Sequence, residues 1–494
     1  MSWNSLPSQV RDTILTRLSE TERHPRHSFS RYATVCKDWQ HNFEKVIFSK
    51  LRVSASDASS FSRVFRIKRR RKYLQHLGLS LNLPEHEYTP FHGAGGSDEE
   101  KAMAQIYIIS HYGHCEFAPS LKLQEKQNNI SFTKAIWVLL SVLRSWKRTQ
   151  VRHGINLEII ADTKSYWQNM GAKMRRDNGP MAIFLEDSPR DSDGQKRYRR
   201  MTLSPHERTP ILVTAQLDFH SSLDFDFLGS PVASVEALPK VDVVTSLSIL
   251  QRTVRHFQPG AIGAIIKCFP FLAKITWQSW PLPHYINKDA FSLTLAKTMS
   301  CWPASLEEVC LTHVTFFEYP NRCSRGRHGH NLYPGLFSGE LSFLSQRLKR
   351  LTVNYTIDAI TFLTEAPQQW PKLEQLVLRS KQWILDELPL ATNEILLRAA
   401  FAASGMPSLK LFGLWSANRT KAGCLTYARQ ADACVLDVRC SWMFTVDGRC
   451  LAAWQDVAMK HSERDLNWAF QRLSAGQVKL DICKISPESN ANRA

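Results

Sequence analysis

Apolar residues in the second half of the chain fall into a template, L-x-x-φ-x-φ, in which φ is apolar. It reads LAKITW from Leu272, LEEVCL from Leu306, LKRLTV from Leu348, LEQLVL from Leu373 and LKLFGL from Leu409. VTSLSI from Val244 and ACVLDV from Ala433 are looser copies, and LQHLGL from Leu74 stands apart from the rest. Alternation of period two predicts a short strand at each. With 43% apolar residues, three specified positions match by chance roughly 8% of the time, so the template alone decides little. Its surroundings decide more. Four copies follow an apolar–proline pair: Phe269-Pro270, Trp302-Pro303, Trp370-Pro371 and Met406-Pro407. Helix-like stretches such as AIGAIIKC and FSLTLAKTMSC precede these pairs. Proline ends a helix and starts an extended segment, so the unit is helix, Pro-turn, strand. Successive starts at 244, 272, 306, 348, 373, 409 and 433 are 24 to 42 residues apart. That spacing is the signature of a solenoid, with an ordinary α/β domain of alternating elements as the alternative.

A different period rules the first fifty residues. Leu6, Val10, Ile14 and Leu18 recur every four positions with Leu15 beside them, and Pro7 suits a helix start. After the polar connector ETERHPRH, Ser28 is placed to cap a second helix. Phe29, Tyr32, Ala33 and Cys36 form one stripe, and Val35, Trp39, Phe43 and Ile47 continue a second. Three short helices cannot cover that many large apolar groups among themselves. Either the following domain or a separate protein must take the remainder.

These residues carry a resemblance. LPSQVRDTILTRL…SRYATVCKDWQ, within residues 4 to 50, resembles an F-box of the fungal type. Leu6, Pro7, Ile14, Leu15, Leu18, Val35, Cys36 and Trp39 fall on its motif positions. The charged connector is longer than in many members. The resemblance implies a three-helix domain that docks onto the Skp-type linker subunit of a cullin ubiquitin ligase. The repeat region in turn resembles an irregular leucine-rich-repeat array. The expected fold is therefore α/β: an N-terminal three-helix F-box (1–50), then an irregular leucine-rich-repeat-like solenoid. The solenoid divides into a divergent stretch with loop insertions (51–240) and a clearer one with a C-terminal capping helix (241–485), before a flexible tail (486–494). The run AAWQDVAMKHSERDLNWAFQRL reads as that capping helix.

Composition changes this picture only slightly. Lys and Arg number 63 against 45 Asp and Glu, a formal charge of 63 − 45 = +18, spread along the chain. The densest basic run, RIKRRRKYL, and Arg197 to Arg200 suit a nucleic-acid or chromatin scaffold, the alternative function. A solvated helix face joining the N-terminal helices to the first strand explains Lys68 to Lys72 better, so nucleic acid is not the expected partner. Eleven cysteines without a CxxC pair suggest free thiols in a reducing compartment. With no apolar signal core and no run of ~18 apolar residues, the expected location is cytoplasmic or nuclear, with no membrane partner. No phosphate-cradling glycine loop, HExxH, GxSxG or zinc-type pairing occurs, so no catalytic residue, metal or cofactor is expected. CSRGRHGH (Cys323, His328, His330) and HYGHC (His111, His114, Cys115) match no usual four-ligand spacing. Asp218, Asp224 and Asp226 alternate with Phe as at a strand edge.

In a repeat of this type the φ positions point into the core and the intervening ones face outward on the concave sheet. Those positions supply Lys274, Gln278, Arg350, Asn354, Arg379, Trp415, Asp437 and Arg439. They form a row with a basic bias and one large aromatic, the candidate surface for a target protein. The expected function is the substrate-receptor subunit of an SCF-type (Skp–cullin–F-box) ubiquitin ligase, without an active site of its own.

Overall fold

A computed structural model gives the structure of the protein. It describes residues 3, 6–21, 29–81, 83, 119–161, 222–227, 238–250, 253, 255–279, 288–313, 335–354, 356–364, 369–380, 383, 389–417, 421–442 and 445–485. Three helices come first: α1 (Ser8–Thr21), α2 (Phe29–Tyr32) and α3 (Lys37–Ser49). The apolar pattern from Phe29 to Ile47 is shared by α2 and α3. It breaks at a turn over 33–36, where Cys36 adopts extended backbone as the N-cap of α3.

Strands follow in chain order: β1 (Lys50–Ser54), β2 (His76–Ser80), β3 (Ile155–Ile160), β4 (Val244–Ile249), β5 (Lys274–Ser279) and β6 (Glu308–His313). Then come β7 (Arg350–Asn354), β8 (Gln375–Arg379), β9 (Leu411–Ala417), β10 (Ala422–Arg429), β11 (Cys434–Cys440) and β12 (Leu466–Arg472). All twelve belong to one open sheet whose spatial order is the sequence order. Pairing is parallel from β1 to β9, antiparallel from β9 through β11, and parallel again between β11 and β12. β3 pairs with β4, so the sheet runs unbroken across residue 240.

Helices fill the crossovers. α4 (Ala58–Val64) and α5 (Lys68–Arg71) precede β2, and α6 (Pro119–Arg144) precedes β3. α7 (Pro259–Lys267), α8 (Lys288–Met299), α9 (Gly335–Ser345), α10 (Ala359–Thr364) and α11 (Pro389–Ser404) separate β4 to β9. α12 (Gly448–Ser462) links β11 to β12, and α13 (Ala475–Ile485) follows β12. From α7 to α12 each helix packs against the next, in a row alongside the sheet. One continuous core runs from Val53 to Ala458.

The apolar–proline pairs build the turns between them. Phe269, Trp302, Trp370 and Met406 are all buried, and each is the hinge of a tight turn, the carbonyls of Phe269, Trp370 and Met406 accepting from Leu272, Leu373 and Leu409. Ser305 donates to the Pro270 carbonyl and Ser408 to the Pro371 carbonyl, both at 2.9 Å, so the second turn is tied to the first and the fourth to the third. These links hold the strands in register.

The C-terminal region differs from the single capping helix read from the sequence. α12 stops at Glu463, whose φ of 54° is left-handed and turns the chain out of the helix. Gln455 then accepts from the Leu466 N–H and starts β12, and α13 forms after that strand. Among the described residues no helix is long and apolar enough to cross a membrane.

Candidate functional site

Two surfaces stand out, at the N-terminal helices and on the face of the sheet opposite the core. The helices share a small core of Leu15, Phe29 and Phe43, with Leu18, Tyr32 and Trp39 packed against it. Phe43 is its hub: its ring lies 5.6 Å from Phe29, 5.1 Å from Tyr32 and 5.7 Å from Trp39. Arg11 bridges to Asp38 at 2.6 Å and joins α1 to α3. Three large apolar residues remain outside. Val10 is 42% exposed, Ile14 36% and Val35 60%, and Pro7 and Cys36 are exposed near them in the chain. Leu6 is half-buried. Of the eight motif residues, Leu15, Leu18 and Trp39 thus shape the core. Pro7, Ile14, Val35 and Cys36 lie at the surface.

A clamp fixes this helix cluster to the sheet. Glu44 on α3 is buried, and its carboxylate accepts two hydrogen bonds from Arg70 on α5, at 3.1 and 2.6 Å. Arg69 adds an ion pair at 3.0 Å. Burial pushes the Glu44 carboxyl up. The Arg70 hydrogen bonds and charge, with Arg69 and Gln40, outweigh it and hold the group below its ordinary value. Arg71 donates to the Phe65 carbonyl and to Gln150. Much of the basic run is therefore a joint, which agrees with a helix face linking the N-terminal helices to the first strands.

On the sheet, strand register sets seven of the eight candidate target residues into two rows, with Asp437 opposite Thr426 in a third row between them. Lys274, Glu308, Arg350 and Gln375 are cross-strand partners in one. Gln278 pairs with Thr312 and Thr312 with Asn354, and further along Arg379 pairs with Trp415, Trp415 with Cys424 and Cys424 with Arg439. Accessibility divides them. Lys274 and Arg350 keep 43% and 57% of their side chains exposed while sharing Glu308, at 2.5 and 3.7 Å. Asn354 and Trp415 are buried, and the Trp415 indole N–H donates to Asn354 Oδ1 at 3.0 Å. The Arg379 guanidinium lies 5.7 Å from the Trp415 ring centre. α13 covers this end: Val478 and Ile482 pack on Trp415, Val377 and Cys424. Arg439 is held by Asp437 at 2.5 Å and by Asp481 of α13 at 2.6 Å, and those hydrogen bonds raise its basicity further.

The sequence reading missed a polar cluster at the other end of the same face. Glu158 is buried and pairs with His76 Nε2 at 3.0 Å. Asn156 meets His76 Nδ1 and accepts from Ser248. Its signal was present: Asn156 and Glu158 alternate with apolar residues inside INLEII, so one face of that strand is polar.

Among the described residues no group of three or more His, Cys, Asp or Glu is placed to hold a metal. Asp224 and Asp226 lie in a loop whose backbone N–H groups donate to Asn129 and Thr133 of α6, and burial pushes the Asp224 carboxyl up. Asp218, Ser28, the two His/Cys stretches and Arg197 to Arg200 lie outside the described residues. A family model described as "Family of unknown function (DUF6546)" matches residues 301–485, the segment that holds β6 to β12 and α13. No curated protein matches the chain.

Proposed function

We propose that this chain is the substrate-receptor subunit of an SCF-type ubiquitin ligase: an F-box (1–50) followed by a leucine-rich-repeat-like solenoid that holds the target. The carrying observation is the apolar surface left open on a helix cluster too small to bury it, with Val10, Ile14 and Val35 outside a core of three buried residues. Water-exposed groups of this kind gain ~25 cal/mol per Å² when a partner covers them. The F-box resemblance gives that partner, the Skp-type linker, which in turn brings the cullin core. The Glu44 clamp supports the same reading, because a rigid joint fixes the distance between ligase core and bound target. The chain needs no active site. Holding both ends makes transfer to a target lysine effectively intramolecular.

The target surface of this proposal is the open sheet face, narrowed to its accessible part around Lys274, Gln278 and Arg350. The location that fits this function is cytoplasmic or nuclear.

The test is copurification of the linker with the full chain and with an Ile14→Asp, Val35→Asp double variant. Both side chains are exposed, so the variant keeps the small core and puts two charges into the interface. Loss of the linker from a variant with wild-type circular dichroism is the expected result. Undiminished copurification overturns the proposal.

A further inference from the structure

The fold brings together two acid-free segments. No Asp or Glu occurs between Asp57 and Glu85, nor between Glu125 and Glu158. The first segment exposes Arg63, Arg66, Lys68 and Lys72. The second exposes Arg144, Lys147, Arg148 and Arg152 in the approach to β3. They are far apart in sequence and adjacent in space. Arg71 donates to Gln150 at 2.6 Å and lies 5.2 Å over the Trp146 ring. Trp146 in turn packs on Phe61 at 5.7 Å and Phe65 at 5.2 Å. None of the eight exposed cations forms an ion pair with a described residue.

Arg69, Arg70 and Arg71, the centre of the basic run, are spent on the joint and do not belong to this surface. The two segments instead set their unpaired cations around it, on a base that the Arg71 bridge and the Trp146 contacts make rigid. Like charges held together by a fold raise the local potential and cost stability, which a counter-anion relieves.

We propose that this double segment is a binding surface for the phosphate backbone of a nucleic-acid duplex, read without regard to base sequence. The side chains are long, numerous and spread over the surface, which suits a repeating line of phosphates. Bases of a single strand need exposed aromatic faces to stack on. Here Trp146 is buried, and Arg148 lies 4.5 Å over the ring of Phe271. A membrane surface calls for apolar residues that insert together, and among the described residues Ile67 and Phe271 are the large apolar side chains exposed beside the cations, Phe271 with its ring already under Arg148. The surface goes beyond the receptor function: it would bring the receptor to targets held on duplex.

The experiment uses the full chain and fluorescence anisotropy with a labelled duplex of about twenty base pairs, in two unrelated sequences. Both duplexes should bind equally, with a log–log salt slope of about −4 to −6. Lys68→Glu, Lys72→Glu, Arg152→Glu should weaken binding by tenfold or more. A charge-matched control, Lys297→Glu, Lys372→Glu, Lys460→Glu, reverses three cations outside the two segments and should bind close to wild type. Equal loss in the control would assign binding to net charge and overturn the surface. So would an unchanged affinity in the first variant. Tighter binding of a single strand, a polyglutamate peptide or phosphatidylserine vesicles than of the duplex would overturn the assignment of the ligand.

Discussion

At the residue scale the most consequential side chain is Glu44. It is a buried carboxylate that ties α3 to α5 through two arginines, 25 and 26 positions away in sequence. Nothing in the sequence marks it, because the pairing is made by the fold. Removing one partner of a buried pair leaves the others without a counter-charge. Arg69 and Arg70 retain some solvent, so Glu44→Gln should cost only roughly 2 kcal/mol. Its pH dependence has a definite sign. The folded carboxyl is held below its ordinary 4.5, so the clamp stabilises fully above that value and is lost as pH falls through the folded one. The gap in melting temperature between wild type and Glu44→Gln should therefore be wide near pH 7 and close on acidification. A gap independent of pH would mean the clamp is not ionic. The cysteines allow a second check. Cys36 and Cys301 are exposed, whereas burial pushes the thiols of Cys268 and Cys424 up to about 12. Brief alkylation of the native protein, mapped by peptide mass, should label Cys36 and Cys301 well ahead of the six buried cysteines described. On the proposed function, bound linker should protect Cys36 and leave Cys301 reactive. Protection of both or of neither would separate the linker from the N-terminal face.

At the element scale, what the sequence made legible is the strand template. Every copy of L-x-x-φ-x-φ from Leu74 to Ala433 leads into a strand, because alternation survives wherever one face is buried. Four of the twelve strands fall outside it, β1, β3, β10 and β12, and the last two do so for plain physical reasons. β10 is apolar on both faces for much of its length, AGCLTYAR, so it shows no alternation. β12 lies in a run that reads as one helix, because the break at Glu463 depends on a left-handed backbone that a glutamate does not advertise. The candidate row was legible in direction but not in access. Strand periodicity put Trp415 on the face away from the main core, and α13, invisible as a partner until the chain folds, buries it there. α13 should thus act as a removable cover. Ile482→Ala, at a side chain 6% exposed, should destabilise by about 2–4 kcal/mol. It should also speed alkylation of Cys424 beneath the helix while leaving Cys268, far along the sheet, unchanged. Equal acceleration at both would show that the variant loosens the whole fold.

At the scale of the whole molecule, the consequence of sequence-ordered strands is that contacts are made between neighbours. β1 touches β2 but no strand beyond it, and β12 is reached only through β11. Lys349 bridges to Glu307 and Lys410 to Glu374, each across one strand boundary. The core is continuous, and the strands within it pair only with their neighbours, the longer reaches being α13 over β8 to β10 and the Trp415–Asn354 bond. Stability in such an array is close to a sum of local terms and nearest-neighbour terms. Damage should then stay near its origin. Leu77, fully buried on β2, and Phe412, fully buried on β9, lie seven strands apart in the array. Leu77→Ala should raise amide hydrogen exchange in residues 50–80 and 155–160 and fade through 244–279. Protection in 411–440 should remain at the wild-type level. Phe412→Ala should give the reverse gradient, strongest in 375–440 and absent at 50–80. Each substitution removes several kcal/mol by cavity formation, enough to be read by exchange under native conditions. A uniform rise along the chain from either substitution would mean that the twelve strands open as one cooperative unit, and the nearest-neighbour account would fail.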